Sequence, residues 1–228
     1  MLILSLSLGT HLQLYRPPHP SPFPPSNATV LRPFHYLRRC YSISMPLSLP
    51  ETQPWDTVSR YAGIAWLLAY SLFLLHALRD TSGFLFPDFV NLMIHEGGHL
   101  FFSWGGHTLM ILGGTLGELL VPLLCGLYFY FHGQTYGFTF SAFWFFENFL
   151  YIGTYMKDAR AEALPLVNGD IGDWTILFGQ WNLLLADQKI GQFVRALGWL
   201  GMCATLAWLA YRTYRDSQPF LRPLELPK

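Results

Sequence analysis

Residues 84–104 read FLFPDFVNLMIHEGGHLFFSW, an apolar stretch interrupted by two carboxylates and two histidines. A helix of about 20 residues spans about 30 Å, which is the thickness of the hydrocarbon core of a bilayer. Ionisable side chains at that depth are costly, so each needs a partner or a bound ion. This stretch therefore predicts a membrane-spanning helix with a polar site inside it.

The composition of the whole chain agrees with a membrane environment. Of its 228 residues, 52% are hydrophobic and only 12% are charged, whereas soluble domains carry about 25% charged residues. Basic and acidic residues number 14 each, so no net charge attracts nucleic acid, and we expect no nucleic-acid partner. The three cysteines lie outside any CxxC pattern, which excludes a disulfide framework and a thiolate zinc site.

Apolar segments of helical length recur along the chain, and residues 61–156 contain only six charged side chains. We predict an all-α, polytopic transmembrane bundle with about five spans, at residues 61–78, 84–104, 108–131, 136–156 and 191–211. The transmembrane domain would occupy residues 51–216 and a short polar tail residues 217–228. The apolar segment 174–186 is too short to cross, so we expect an interfacial or re-entrant helix there.

Residues 1–50 differ from the rest of the chain. They contain no acidic residue, four arginines and nine of the sixteen prolines, a composition typical of disorder. We expect a disordered leader, an over-long gene model with Met45 as the initiator, or an organellar transit peptide. The integral membrane protein would then reside in the cell membrane of a bacterium, or in an organellar membrane if the leader is a genuine transit peptide.

The segment His95-Glu96-Gly97-Gly98-His99 has the spacing of an HExxH metal motif. Residues four apart share one face of a helix, so both imidazoles can reach one ion and Glu96 can hold a metal-bound water. Zn²⁺ suits imidazole and acidifies its bound water, whose proton the carboxylate takes as the water attacks a carbonyl carbon. The motif predicts a zinc hydrolase in which His95 and His99 bind the metal and Glu96 is catalytic. The alternative is a polar seam that closes helix contacts.

An HExGH-type motif within a transmembrane helix resembles the site-2 protease group of intramembrane zinc metalloproteases. The match covers only the second predicted span, where residues 95–99 are followed by apolar residues 100–102. The resemblance implies cleavage of a peptide bond in or near the bilayer, and an aspartate ligand on a later helix, often in a Pro-Leu-Asp-Gly context. The nearest stretch here is LPLVNGD at residues 164–170, in which Val167 replaces that aspartate. The chain thus resembles a divergent relative or a member of an uncharacterised membrane zincin family.

A catalytic zinc site usually has three protein ligands, so a third must be found. Asp158 is the leading candidate, because Asn148, Tyr155 and Asp158 recur at helical spacing and form one polar stripe. On that stripe, Asn148 or Tyr155 could stabilise an oxyanion. The alternative for Asp158 is an ion pair at the water boundary. Asp173 and Asp170 are alternative third ligands, if the short apolar segment after them folds back over the site.

Asp88 and Asn91 lie roughly two turns and one turn before His95 on about the same helix face. They are candidates to orient an imidazole by hydrogen bonding. A simpler interpretation of Asp88 is that its carboxylate stabilises the positive end of the helix dipole near the helix start.

Glu118 lies near the middle of the third predicted span, next to the small-residue pattern Gly113-x-x-x-Gly117. Small residues allow two helices to approach closely. The pattern either brings Glu118 beside the metal or packs it, protonated, between helices. Glu147 in the fourth span has the same two interpretations.

These observations favour a membrane-embedded zinc-dependent hydrolase, a metalloprotease that acts on a membrane-protein or peptide substrate in the lipid bilayer. One alternative is a non-catalytic scaffold or transport protein with a polar intramembrane seam. The other is a membrane di-iron oxidase, because Glu96 and His99 form half of a di-iron ligand set. The second Glu-x-x-His pair that this set requires does not occur in the sequence.

Overall fold

A computed structural model describes residues 51–167 and 171–218, and every regular element in these residues is helical. The six α-helices are Arg60–Arg79 (α1), Asp88–Phe102 (α2), His107–Phe131 (α3), Thr135–Asp158 (α4), Asp173–Gln180 (α5) and Asp187–Ser217 (α6). Short 3-10 turns occupy Ser103–Gly105 and Leu184–Ala186. The predicted all-α class is confirmed. The predicted leader at 1–50 and nearly all of the predicted tail at 217–228 lie outside the described residues.

Three of the described helical segments are long and apolar enough to cross a membrane: α1, α3 and Leu184–Ser217, which contains α6. The prediction of a membrane protein therefore has structural support. Helix α2 has 15 residues, about 22 Å of helix, and is short for a 30 Å hydrocarbon core. Helix α4 has 24 residues, but its aromatic and polar side chains lower its hydropathy. Five spans are not confirmed, and spanning by α2 and α4 stays a prediction.

Helix α4 is the centre of the packing, because it contacts α2, α3, α5 and α6. One apolar cluster joins it to α1 and α6 and includes Tyr70, Phe143 and Met202. A second cluster joins it to α3 and α5 and includes Ile152 and Leu177. Helix α5, which covers only the first part of the predicted segment 174–186, packs against α3 and α4. Its interfacial or re-entrant position stays a prediction.

Glycines bring α2 and α3 into close contact. A Cβ atom on Gly98 would overlap the backbone carbonyl of Gly113, and one on Gly114 would overlap the imidazole of His95. A Cβ on Gly117 would lie 3.0 Å from a backbone carbonyl of α2. The predicted small-residue packing is confirmed, and it places α3 directly against the helix that carries the histidines.

A proline in α3 explains a second helix contact. Pro122 has no N–H to donate to the carbonyl of Glu118, four residues earlier in the helix. The Nδ2 atom of Asn148, on α4, donates to that carbonyl at 2.7 Å. Glu118 and Asn148 are each only 1% exposed, so water cannot supply the missing bond. The side chain of Asn148 therefore ties α4 to α3 at the level of Glu118.

This pairing predicts that the effect of Asn148→Leu depends on Pro122. In the parent, the substitution leaves a buried carbonyl without a donor and should lower the free energy of unfolding by about 1–2 kcal/mol. In a Pro122→Ala background, the backbone N–H of Ala can bond the Glu118 carbonyl, so the same substitution should have less than about half that effect. Denaturant unfolding of the four proteins in detergent, followed by circular dichroism, measures both effects. If Asn148→Leu lowers the free energy of unfolding equally in both backgrounds, the Asn148 hydrogen bond does not compensate for the N–H group that Pro122 lacks.

Candidate metal centre

His95 and His99, one turn apart on α2, face the same carboxylate. The Nε2 atom of His95 lies 2.8 Å from Oδ2 of Asp173, and the Nε2 atom of His99 lies 3.2 Å from the same oxygen. One ligand atom from each of the three residues lies within 4.8 Å of the others. Two imidazoles and one carboxylate are a donor set that suits Zn²⁺ and leaves a fourth position open.

The second nitrogen of each imidazole has its own partner. Nδ1 of His99 lies 2.8 Å from the backbone carbonyl of Met110, and because a carbonyl only accepts, this nitrogen carries the proton. Nδ1 of His95 lies 3.3 Å from Oε1 of Glu118, a side chain that is 1% exposed. Metal-binding histidines commonly donate this N–H to a carbonyl or a carboxylate, which fixes the ring and frees Nε2. A hydrogen bond thus holds the ring of His99 with Nε2 towards Asp173. The His95–Glu118 contact is close enough for electrostatic attraction but lacks hydrogen-bond geometry.

Asp173 reaches the histidines because it is the first residue of α5. Its backbone N–H donates to the hydroxyl of Tyr155 at 2.9 Å, which attaches the start of α5 to α4. Burial alone would raise the pKa of the Asp173 carboxyl, but hydrogen bonds from His95 and His99, donated by Nε2 when the rings are protonated, outweigh burial and lower the pKa to about 2. The carboxylate is therefore ionised at neutral pH. A metal ion would displace these two Nε2 protons and take their place beside the carboxylate.

The three residues open into a cavity of about 390 Å³. Glu96 and Tyr155 line it together with them, as does His107, the exposed first residue of α3. Glu96 is half-buried and, within the described part of the chain, forms no hydrogen bond or ion pair, so its carboxylate is available to a molecule in the cavity. The remaining walls are largely apolar and include Ile111, Tyr151, Pro165, Leu166, Ile171 and Ile176.

The structure places Asp173, and not Asp158, with the two histidines. The Asp158 carboxylate accepts hydrogen bonds from the backbone N–H groups of Ala163 and Leu164, at 3.1 and 2.9 Å. It therefore stabilises the turn that ends α4. Within residues 51–167 and 171–218 it neither joins the cluster nor forms the ion pair considered as its alternative. The other candidate, Asp170, lies outside the described residues.

Asp88 and Asn91 belong to a different polar group. Oδ2 of Asp88 accepts the backbone N–H of Leu85 at 2.6 Å, in agreement with the simpler interpretation of Asp88 at the helix start. Asn91 donates to Asp88 at 3.1 Å and to Glu147 at 3.2 Å. Neither Asp88 nor Asn91 is hydrogen bonded to an imidazole in the part of the chain that the structure describes, so neither orients one directly.

Of the two candidates for an oxyanion donor, only Tyr155 lies at the cavity of the metal centre. Tyr155 lines the cavity, with its ring centroid 6.2 Å from that of His95. Asn148 uses its amide on the Glu118 carbonyl and does not line this cavity. The sequence did not predict that the Met110 carbonyl accepts the Nδ1 proton of His99. Every residue has a backbone carbonyl, so the residue type at position 110 gives no indication of this contact.

No known protein family, curated protein or solved structure matches this chain. The resemblance to the site-2 protease group therefore stays a prediction that depends on residues 95–99.

The geometry predicts which aspartate supports metal binding. Asp173→Asn should weaken Zn²⁺ binding by at least about tenfold, because it removes the anionic donor between the two histidines. Asp158→Asn is the matched control and should leave the affinity within about twofold, since this carboxylate faces backbone N–H groups. Zinc titration of the purified protein in detergent, against a competing chelator of known affinity, measures both. Loss of binding in Asp158→Asn alone would contradict the assignment.

Glu118 should act on the metal through His95. In Glu118→Gln, the uncharged amide is a weaker acceptor for Nδ1, so the affinity for Zn²⁺ should fall by about 10-fold while the stoichiometry stays at one. Glu162→Gln, at an exposed glutamate, serves as the control. The same chelator titration gives both values. An unchanged affinity in a folded Glu118→Gln protein would mean that Glu118 only packs between helices.

Proposed function

We propose that this protein is a membrane-embedded zinc-dependent hydrolase, and specifically a metalloprotease that cleaves a peptide bond in or near the bilayer. The observation that carries the proposal is the convergence of His95 Nε2, His99 Nε2 and Asp173 Oδ2, with both Nδ1 atoms facing acceptors. This geometry is an argument for metal binding, and the position of Glu96 beside it is an argument for hydrolysis. The choice of a peptide substrate depends on the HExxH motif and its resemblance.

In this proposal, His95, His99 and Asp173 would hold Zn²⁺. The ion would supply a Lewis acid that polarises a carbonyl and lowers the pKa of a water. The Met110 carbonyl keeps His99 in the orientation and tautomer that binding requires, and Glu118, whose Oε1 lies 3.3 Å from Nδ1 of His95, would do the same for His95 by accepting its proton.

Glu96 and Tyr155 would handle protons and charge. The Glu96 carboxylate lines the cavity without a protein partner, so it can accept a proton from the attacking water and pass it to the leaving amine. The Tyr155 hydroxyl accepts the N–H of Asp173 and keeps its own proton, which it can donate to the oxygen that becomes negative. Tyr155 thus has two roles, since it also positions Asp173.

The walls of the cavity indicate the class of substrate. Apart from the polar residues already named, they are formed by aliphatic, proline and tyrosine side chains on α2, α3, α4, α5 and the connector before α5. Such walls favour an extended apolar peptide over a charged one. A membrane-protein segment or a hydrophobic peptide fits this description.

Glu96→Gln separates catalysis from metal binding. The variant should retain about one zinc per chain but lose at least about 100-fold in the rate of peptide cleavage, because the amide cannot accept a proton. His95→Ala should lose both zinc and activity, and Glu162→Gln should match the parent. The assay reconstitutes the full chain with a single-span reporter polypeptide in proteoliposomes and identifies fragments by mass spectrometry.

Several outcomes would overturn the proposal. Zinc binding by the parent with no cleavage in any preparation would favour a scaffold or transport protein. Two irons per chain would favour the oxidase. Full activity in Glu96→Gln would exclude Glu96 as the base.

A further inference from the structure

A groove of about 480 Å³ lies between the start of α1 and the end of α6. Two contacts bring these helix ends together. The backbone N–H of Val58 donates to Asp216 at 2.9 Å, and a Cβ atom on Gly63 would overlap the side chain of Thr213. No residue that lines this groove also lines the cavity at the metal centre, so the two are separate.

The lining of the groove changes from polar to apolar along both helices. Helices α1 and α6 run in opposite directions, so the first turn of α1 and the last turn of α6 form the same end of the groove. The polar lining residues at this end include Arg60, Tyr214 and Gln218, and the apolar ones, one to two turns farther along each helix, include Ile64, Leu67 and Ala210. A ligand with a polar head and an apolar chain matches this gradient.

The polar end of the groove lies at the ends of two helices that are long and apolar enough to cross a membrane. Helix α1 has 20 residues, about 30 Å, so its first residue falls at the edge of a hydrocarbon core of that thickness. Tyr61, Tyr211 and Tyr214 are exposed at the same end, and tyrosines are enriched at the boundary between membrane and water. The groove would therefore run from the headgroup region into the hydrocarbon.

The side chain of Arg60 has a positive charge that no carboxylate in the described part of the chain neutralises. Arg60 is in no salt bridge within residues 51–167 and 171–218. Asp216, at the same end of α6, pairs with Arg212 and Arg215. Asp56, the nearest acidic residue before Arg60 in the sequence, is exposed and does not line the groove. The lining thus contains one basic residue and no acidic one, which favours an anionic ligand.

We propose that this groove binds one phospholipid with an anionic headgroup. The Arg60 guanidinium would pair with the phosphate. The Tyr214 hydroxyl and the Gln218 amide, which form no hydrogen bond in the residues that the structure describes, would donate to phosphate or ester oxygens. One acyl chain would lie along the apolar residues of the groove. The lining offers no carboxylate to the ammonium group of a zwitterionic lipid, and a free phosphate ion would leave the apolar end unfilled.

The test measures which lipid the full chain retains. The tagged protein is immobilised in detergent micelles and equilibrated with an equimolar mixture of phosphatidylglycerol and phosphatidylcholine that have the same acyl chains. After washing, the bound lipids are released and quantified by mass spectrometry. We expect saturation at one phosphatidylglycerol per chain, retained at least about fivefold over phosphatidylcholine, because one arginine near the membrane surface favours an anionic lipid by about this factor.

Two variants test the two ends of the groove. In Arg60→Gln the preference for phosphatidylglycerol should be lost, whereas it should persist in Arg79→Gln, the same change at an exposed arginine at the other end of α1. Ala210→Phe fills the apolar end and should lower the retained phosphatidylglycerol by at least about fivefold, because the acyl chain loses its contact with the groove. Ala204→Phe, at an exposed alanine of α6 outside the groove lining, is the matched control and should retain lipid as the parent does.

Three outcomes of these measurements would overturn the proposal: equal retention of both lipids by the parent, the same loss of preference in Arg79→Gln as in Arg60→Gln, or full retention in folded Ala210→Phe. A large excess of inorganic phosphate should leave the bound lipid in place. Displacement of the lipid by phosphate alone would show that the groove recognises a free anion, and would overturn the assignment to a lipid.

Discussion

The close contact between α2 and α3 is the constraint on which the metal centre depends. Glycines at positions 98 and 114 have no side chain where the other helix passes, and the imidazole of His95 occupies the space that a Cβ on Gly114 would take. Because α3 lies this near, Glu118 comes within 3.3 Å of Nδ1 of His95. A wider separation would leave a buried carboxyl group without its nearest partner and an imidazole free to rotate. The small residues that allow α2 and α3 to pack closely therefore also bring the Glu118 carboxyl group beside His95.

The hydrogen bond from Asn148 on α4 to the Glu118 carbonyl adds a third helix to this arrangement. Glu118 is attached at two points: its carboxylate faces an imidazole of α2, and its carbonyl accepts a hydrogen bond from α4. The carbonyl is available because Pro122 cannot donate to it. A proline in an apolar helix thus provides an interhelical bond, as is common where neighbouring helices satisfy freed backbone groups in membranes. Three helices are held together around one glutamate.

The sequence predicted the parts of this structure that depend on local pattern. Apolar segments located α1 to α4 to within four residues at each end, whereas α6 begins four residues earlier and ends six residues later than its predicted span. The four-residue spacing of His95 and His99 put both on one face of α2. The third member of the cluster was harder to predict, because Asp173 lies 78 residues after His95 and reaches it only when α5 docks on α3 and α4. Asp158 has the better helical spacing, yet the turn that ends α4 uses its carboxylate. The spacing of residues along the sequence does not show whether the Asp158 carboxylate will bind nearby backbone N–H groups or a distant metal site.

The four carboxyl groups that lie in apolar sequence show how this bundle accommodates acidic side chains without lysine or arginine beside them. Asp88 accepts a backbone N–H at a helix start, Glu118 faces an imidazole, Glu147 shares the amide of Asn91, and Glu96 opens into a cavity. Imidazole and amide groups are weaker partners for a carboxylate than a guanidinium, since they carry no permanent charge. Acidic groups with such partners retain the capacity to bind an added cation. The scarcity of basic residues between positions 61 and 156 thus leaves no lysine or arginine in these helices to neutralise the carboxyl groups near His95 and His99, where the proposed metal ion would bind.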